Sequence, residues 1–241
     1  GAMKPKLARE LIGLALLLAA VLISQPVQAQ PQKTDAPYPS MAPLDQYLIA
    51  DPNAEIALAR SAAPKAISDN AEVLVLERQG YTTAVAGTNG FVCIVERSWT
   101  AEIVNPNFWN PKLRGPICYN APAVRTYLPL TIAKTKLVLA GKTNEQMSKA
   151  IEAALDKKEL PALEIGAMCF MMSKDGYLDD QAGHWHPHLM FFVPLTDAKS
   201  WGADLAGSPV LATEVPEDRL TIFMVPVAKW SDGTPDSHPR N

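Results

Sequence analysis

Residues 71–99, AEVLVLERQGYTTAVAGTNGFVCIVERSW, decide how this chain folds. Three short runs rich in Val, Leu, Ile and Thr are broken at Gln79-Gly80 and again at Thr88-Asn89-Gly90. β-Branched side chains suit a pleated, half-buried surface, and Gly and Asn-Gly supply tight turns. The spacing therefore predicts a three-stranded antiparallel meander. In its last strand, alternation puts Val92, Ile94 and Glu96 on one face and Phe91, Cys93, Val95 and Arg97 on the other. Glu96 becomes a candidate for a carboxylate aimed at a partly buried surface.

Upstream, LDQYLIADPNAEIALARSAA (44–63) suggests helix on either side of Asp51-Pro52, with Asp51 as cap and Pro52 in the first turn. QPQKTDAPYPSMAP (30–43) is polar and proline-rich and reads as a flexible leader. Downstream, 100–121 reads as a long irregular loop carrying Phe108, Trp109, Arg114 and Tyr119. One or two short helices come next around Pro129, with TKLVLAG (135–141) fitting helix or strand equally well. TNEQMSKAIEAALDKKEL (143–160) is a firm helix: Thr143 and Gln146 have capping-box spacing, and Met147, Ile151 and Leu155 recur every four residues. GAMCFMMS (166–173) and HWHPHLMFFVPL (184–195) suggest a second hairpin, and SPVLATEV and LTIFMVPVAKW two further strands. Strands, helices and strands again imply an α+β domain over 44–235, a mostly antiparallel sheet with helices packed on one side. Residues 236–241 read as a frayed tail.

The chain has 241 residues and opens with GAM, which resembles a tag-cleavage scar ahead of Met3. Lys4, Lys6 and Arg9, the apolar run LIGLALLLAAVLI and the small-residue site VQA before Gln30 form a secretory signal peptide pattern over 1–29. A spanning helix needs about 20 apolar residues and this run is shorter, so membrane contact is expected only through the signal peptide before cleavage. Cleavage removes three basic residues and Glu10, taking the net charge from −3 to −5. That balance argues against nucleic acid as a partner, because phosphate binding needs a basic footprint. The expected location is periplasmic or secreted. Three cysteines in an exported chain invite a disulfide, for which Cys93 and Cys118 are the expected pair; Cys169 is then a small core residue or a soft metal ligand.

The chemistry concentrates in GHWHPHLMFFVP (183–194), which holds three of the four histidines. On an extended strand His184, His186 and His188 share one face, neighbours lying ~6.7 Å apart and the outer two ~13 Å. Two such rings span one ion easily, so His184 and His186 are the expected core pair, with His188 joining where Pro187 bends the strand. Glu96, Asp175, Asp179, Asp180 and Met172 are candidates for completing the site. Imidazoles with a carboxylate suit Zn²⁺ or Fe²⁺, and added sulfur shifts the balance toward copper. His-x-His resembles the cupin, metallo-β-lactamase and amidohydrolase motifs, but Leu189–Phe192 stand where the first two need further ligands, and only 53 residues come after His188 where the third needs a barrel.

FVCIVERSW, FWNPKLRGPIC, GHWHPHLMFFVP and KWSDGTP resemble stretches of a group of small exported bacterial proteins of unassigned function. The likeness spans most of 50–235. It implies export and one intact domain, and carries no activity.

The expected function is that of an exported metal-binding protein. It has three versions: a metal-dependent enzyme with Glu96 or a loop aspartate as base, a zinc or copper carrier without catalysis, or an interaction module using the aromatic loop 100–121. Export gives the first testable outcome. N-terminal sequencing of the mature protein should begin at or next to Gln30, and a chain still starting at Met3 refutes the signal peptide.

Overall fold

The structure is a computed structural model that describes residues 36–237; the expected signal peptide and His238 lie outside the described residues. β1 (Glu72–Glu77) and β2 (Gly80–Val85) pair antiparallel across a two-residue turn, as their sequence dictates. The third run departs from the expected meander. β3 (Val92–Glu96) lies on the other flank of β1 and runs parallel to it, Glu72 opposite Val92. The connection must cross the end of β1, and Gly87 makes the crossing: an added Cβ there would stand 2.1 Å from the Glu72 amide nitrogen. No side chain fits such an approach. Flanked by neighbours on both sides, β3 is buried from end to end.

β4 (Gly115–Tyr119) pairs antiparallel with β3, so the segment expected to be wholly irregular ends in a buried strand. Pro116 tolerates this place because β4 pairs with its other neighbour, β5 (Met168–Met171), only through Cys118 and Tyr119. β6 (His188–Pro194) forms the second hairpin with β5, and β7 (Leu211–Val215) and β8 (Leu220–Pro226) complete an eight-stranded sheet of order β2-β1-β3-β4-β5-β6-β8-β7. All pairs except β1/β3 are antiparallel.

The α+β class holds, while the helices divide between both faces rather than sharing one. α1 (Pro52–Arg60) is capped by Asp51, whose carboxylate accepts the Asn53 amide at 2.9 Å. With the short α2 (Lys65–Ser68) it covers one face, where the small Ala59, Ala62 and Ala63 approach Val73, Cys93, Val95 and Cys118 closely. On the other face lie α3 (Ala121–Thr126), α4 (Leu128–Leu139) and α5 (Asn144–Asp156); Tyr127 between the first two, Leu130 and Ile151 pack with Ile94, Ile117, Tyr119 and Phe192. TKLVLAG is thus helical through Leu139. Thr143 and Gln146 close a full capping box on α5. The ends of the domain are tied down further than expected: Tyr38, Met41 and Ala42 pack on the body, and the Asp236 side chain is fully buried. Among the described residues no helix is long and apolar enough to cross a membrane.

Cys93 and Cys118, directly opposed on β3 and β4, form a disulfide, the mark of a non-reducing compartment. Cys169 is a buried free thiol, and burial together with the Glu96 charge pushes its pKa well up. Closing a loop of 25 residues constrains the unfolded chain by about 3.5 kcal/mol. Replacing both Cys93 and Cys118 by Ser should lower the unfolding free energy in urea by roughly that amount. In the parent, a thiol reagent should modify Cys169 only on unfolding; rapid modification of the native protein would contradict its burial.

Candidate functional site

The histidines lie in the loop that leads from β5 into β6. Extended backbone over 184–193 was the expectation, yet β6 begins only at His188. Gly183 (φ +60°) and Trp185 (φ +54°) both adopt left-handed backbone, so the chain turns before the strand starts and the alternation never develops across 184–187. Such backbone is rare for a bulky residue and must be held by its surroundings. The Trp185 ring is edge-on to His186 at 5.5 Å and to His188 at 4.7 Å. The Pro187 carbonyl accepts the Val227 amide at 2.8 Å, fastening the loop to the segment after β8.

Each ring has its own setting. His184 stands edge-on to the buried Trp230, centroids 4.9 Å apart. His186 Nδ1 is 2.7 Å from Asp236 Oδ2, whose side chain is fully buried. His188 Nδ1 is 2.8 Å from the His186 carbonyl oxygen. A carbonyl only accepts, so His188 Nδ1 carries the proton and Nε2 the lone pair. The same logic sets His186 against its carboxylate. Burial of His188 pulls its pKa down to about 4; the bond to the His186 carbonyl opposes this in part, and the neighbouring His186 charge adds to it. His188 is therefore neutral at neutral pH, the state required of a ligand or a base.

The carboxylates expected to complete the site are engaged elsewhere. Asp180 accepts from Lys112 at 2.7 Å and from the Tyr38 and Tyr177 hydroxyls, with Lys112 foremost in holding its pKa well below the usual range. Asp179 Oδ1 takes the amides of Gln181 and Ala182 at 2.7 and 2.6 Å. Asp175 lines a cleft beside α1, and the Met172 amide is bonded to the Ala62 carbonyl. Glu96, on the same sheet face as His188, is separated from it by β4 and β5, ~14 Å along the sheet. Among the described residues no three His, Cys, Asp or Glu side chains come together in a group able to hold a metal ion. Asp236, in the stretch read as tail, meets His186, and nothing in its local sequence marks it. Phe108 and Trp109 are buried, so the loop 100–114 has no aromatic surface to offer a partner.

No family model matches the chain, and neither curated proteins nor solved structures match it.

A second polar centre lies under α4. Glu96 accepts from the Tyr119 hydroxyl and, at 3.2 Å, from Thr100. Nearby, the buried Lys134 and Asp218 pair at 2.5 Å, and Lys134 also donates to the Ala101 carbonyl. Burial raises the Glu96 pKa to about 7, outweighing the bonds from Tyr119 and Thr100 and the Lys134 charge. The folded state thus holds a proton that the unfolded chain releases near the ordinary value of 4.5. Its stabilisation is complete below that value and is lost as pH rises toward about 7. Urea unfolding between about pH 5 and 7 should show parent stability declining relative to Glu96→Gln, by at most ~1.4 kcal/mol per pH unit. Equal slopes in the two proteins would mean that Glu96 titrates normally.

Proposed function

We propose that this is a periplasmic or secreted protein that binds a divalent first-row metal ion through its histidine loop, with His186 and His188 as the ligand pair. One observation carries the reading: both rings have Nδ1 held, one by a buried carboxylate and the other by a backbone carbonyl. Metal-binding imidazoles are usually held in this way, which fixes the tautomer and leaves Nε2 as the donor. The neutral state of His188 supports it further, since its ligation would release no proton at neutral pH. His184, against Trp230, is a bystander in this reading.

The donor set suits Zn²⁺, Fe²⁺ or copper, and a bound ion would supply Lewis acidity. The protein's own part is to orient two rings before the ion arrives, which lowers the ordering cost of binding. Binding without catalysis fits better than an enzyme. Asp179 and Asp180 are committed to the loop's own structure, and Glu96 is remote, so these three carboxylates do not serve the imidazoles as bases.

Calorimetric titration of metal-free protein with Zn²⁺, Cu²⁺ and, without oxygen, Fe²⁺ tests this. At least one ion should bind tighter than about 100 µM. His186→Ala and His188→Ala should each weaken it by about tenfold or more, Asp236→Asn by about 10- to 100-fold, and His184→Ala little. The reading fails if no ion binds that tightly, or if His186→Ala binds as the parent does.

A further inference from the structure

Arg60 is the last residue of α1. Its Nε is buried and unbonded, and among the described residues its guanidinium makes neither hydrogen bond nor ion pair. It lines a cleft of ≈ 250 Å³ between the α1–α2 corner and a facing wall formed by the β5–β6 loop and the segment after β8. Three acids and two further lysines share the lining. Lys174 and Asp232 pair with each other across the facing wall. Lys65 opens α2 and Asp69 follows its last residue, four positions on, without a salt bridge between them among the described residues. Among the described residues Arg60, Lys65, Asp69 and Asp175 make no salt bridge, and of these Arg60 is the one with a buried, unbonded nitrogen, with Asp175 on the opposite wall.

We infer that this cleft binds a free α-amino acid or an equally small zwitterion, its carboxylate on Arg60 and its ammonium toward Asp175. A guanidinium presents a planar fork that a carboxylate meets with two parallel hydrogen bonds. A phosphate or a dicarboxylate without an amine would bring its second negative charge against Asp175 and Asp69. The lining as a whole carries equal numbers of cations and anions, which selects a ligand carrying both signs. Its volume falls below the usual 300–1,000 Å³ of drug-sized pockets and matches a smaller metabolite. The site is separate from the histidine pair and stands without the metal reading.

Calorimetry on the full chain, with the proteinogenic amino acids as probes and acetate, methylamine and inorganic phosphate as controls, tests the inference. At least one amino acid should bind tighter than about 1 mM, with acetate and methylamine at least about tenfold weaker. Arg60→Gln and Asp175→Asn should each weaken the amino acid by about tenfold or more. Asp175 is exposed, so that variant keeps its melting temperature and reports on binding even where Arg60→Gln unfolds. The inference is overturned if no amino acid binds tighter than about 1 mM, if acetate or phosphate binds as tightly as the best amino acid, or if Asp175→Asn binds as the parent does.

Discussion

Arg97 and Glu55, both inaccessible to solvent, form the contact on which the rest of this architecture depends. The parallel pairing of β1 with β3 lasts only from Glu72 to Val73, after which the two strands diverge. Backbone groups facing the gap would be buried without partners, at a cost of about 1–3 kcal/mol each. The ion pair fills it. Glu55 Oε1 accepts the Leu76 amide at 3.1 Å and Arg97 Nη2 at 2.9 Å, while Arg97 also donates to the carbonyls of Val95 and Tyr47. Tyr81 adds a hydroxyl to the same Val95 carbonyl. An unpaired ion at this depth costs several kcal/mol, so α1, β1, β3 and the segment around Tyr47 are stable only when all are in place. Gly87 fixes the crossing at one end of the parallel pair, and Arg97 satisfies the opening at the other.

The segment after Arg97 is positioned by the same contact. Trp99, Phe108 and Trp109 pack with Tyr47 into a second core, which turns 97–114 from a floppy connection into a rigid platform. Lys112 stands on that platform, over the rings of Tyr38 and Tyr177 and bonded to Asp180. Asp180 belongs to the β5–β6 loop, so the histidine loop is moored at one side to a structure organised by Arg97. The segment after β8 moors the other side, through Val227, Trp230 and Asp236. The aromatic loop and the histidine loop, rival functional sites when judged from sequence, stand as a support and its load.

Local interactions were legible in the sequence and long-range ones were not. Asp51, the Thr143–Gln146 box and the Gly80 hairpin each involve residues within a few positions, so their chemistry is complete in the local string. The Cys93–Cys118 bridge was legible because three cysteines allow few pairings and Cys169 sits inside an apolar run. β3 misled because Thr88-Asn89-Gly90 is good turn chemistry whether the chain then returns beside β2 or crosses to the far side of β1. Gly87, whose lack of a side chain decides between these, looks like any other loop glycine. Pro116 hid β4, and Trp185 hid the turn that separates His184 from the other two histidines, since a tryptophan seldom marks left-handed backbone. Asp236 was out of reach altogether: its partner is 50 positions away.

Burial acts on the candidate groups with one sign of logic and two outcomes. Glu96, Met171 and His188, on β3, β5 and β6, sit on one face at the same end of the sheet, a position fixed by the register from β3 through β6. Desolvation penalises whichever form is charged, so it drives the proton off His188 and keeps it on Glu96. Near neutral pH the imidazole is therefore an acceptor, while the carboxyl stands near its own midpoint. The helices α3 to α5 make this possible by covering that face, where they pack on the alternating apolar residues of β3 to β6. The neutral imidazole of His188 is thus a product of the same packing that stabilises the fold, and the loop adds only orientation. That places the candidate chemistry at strand ends, where a rigid sheet delivers side chains to loops held on both sides.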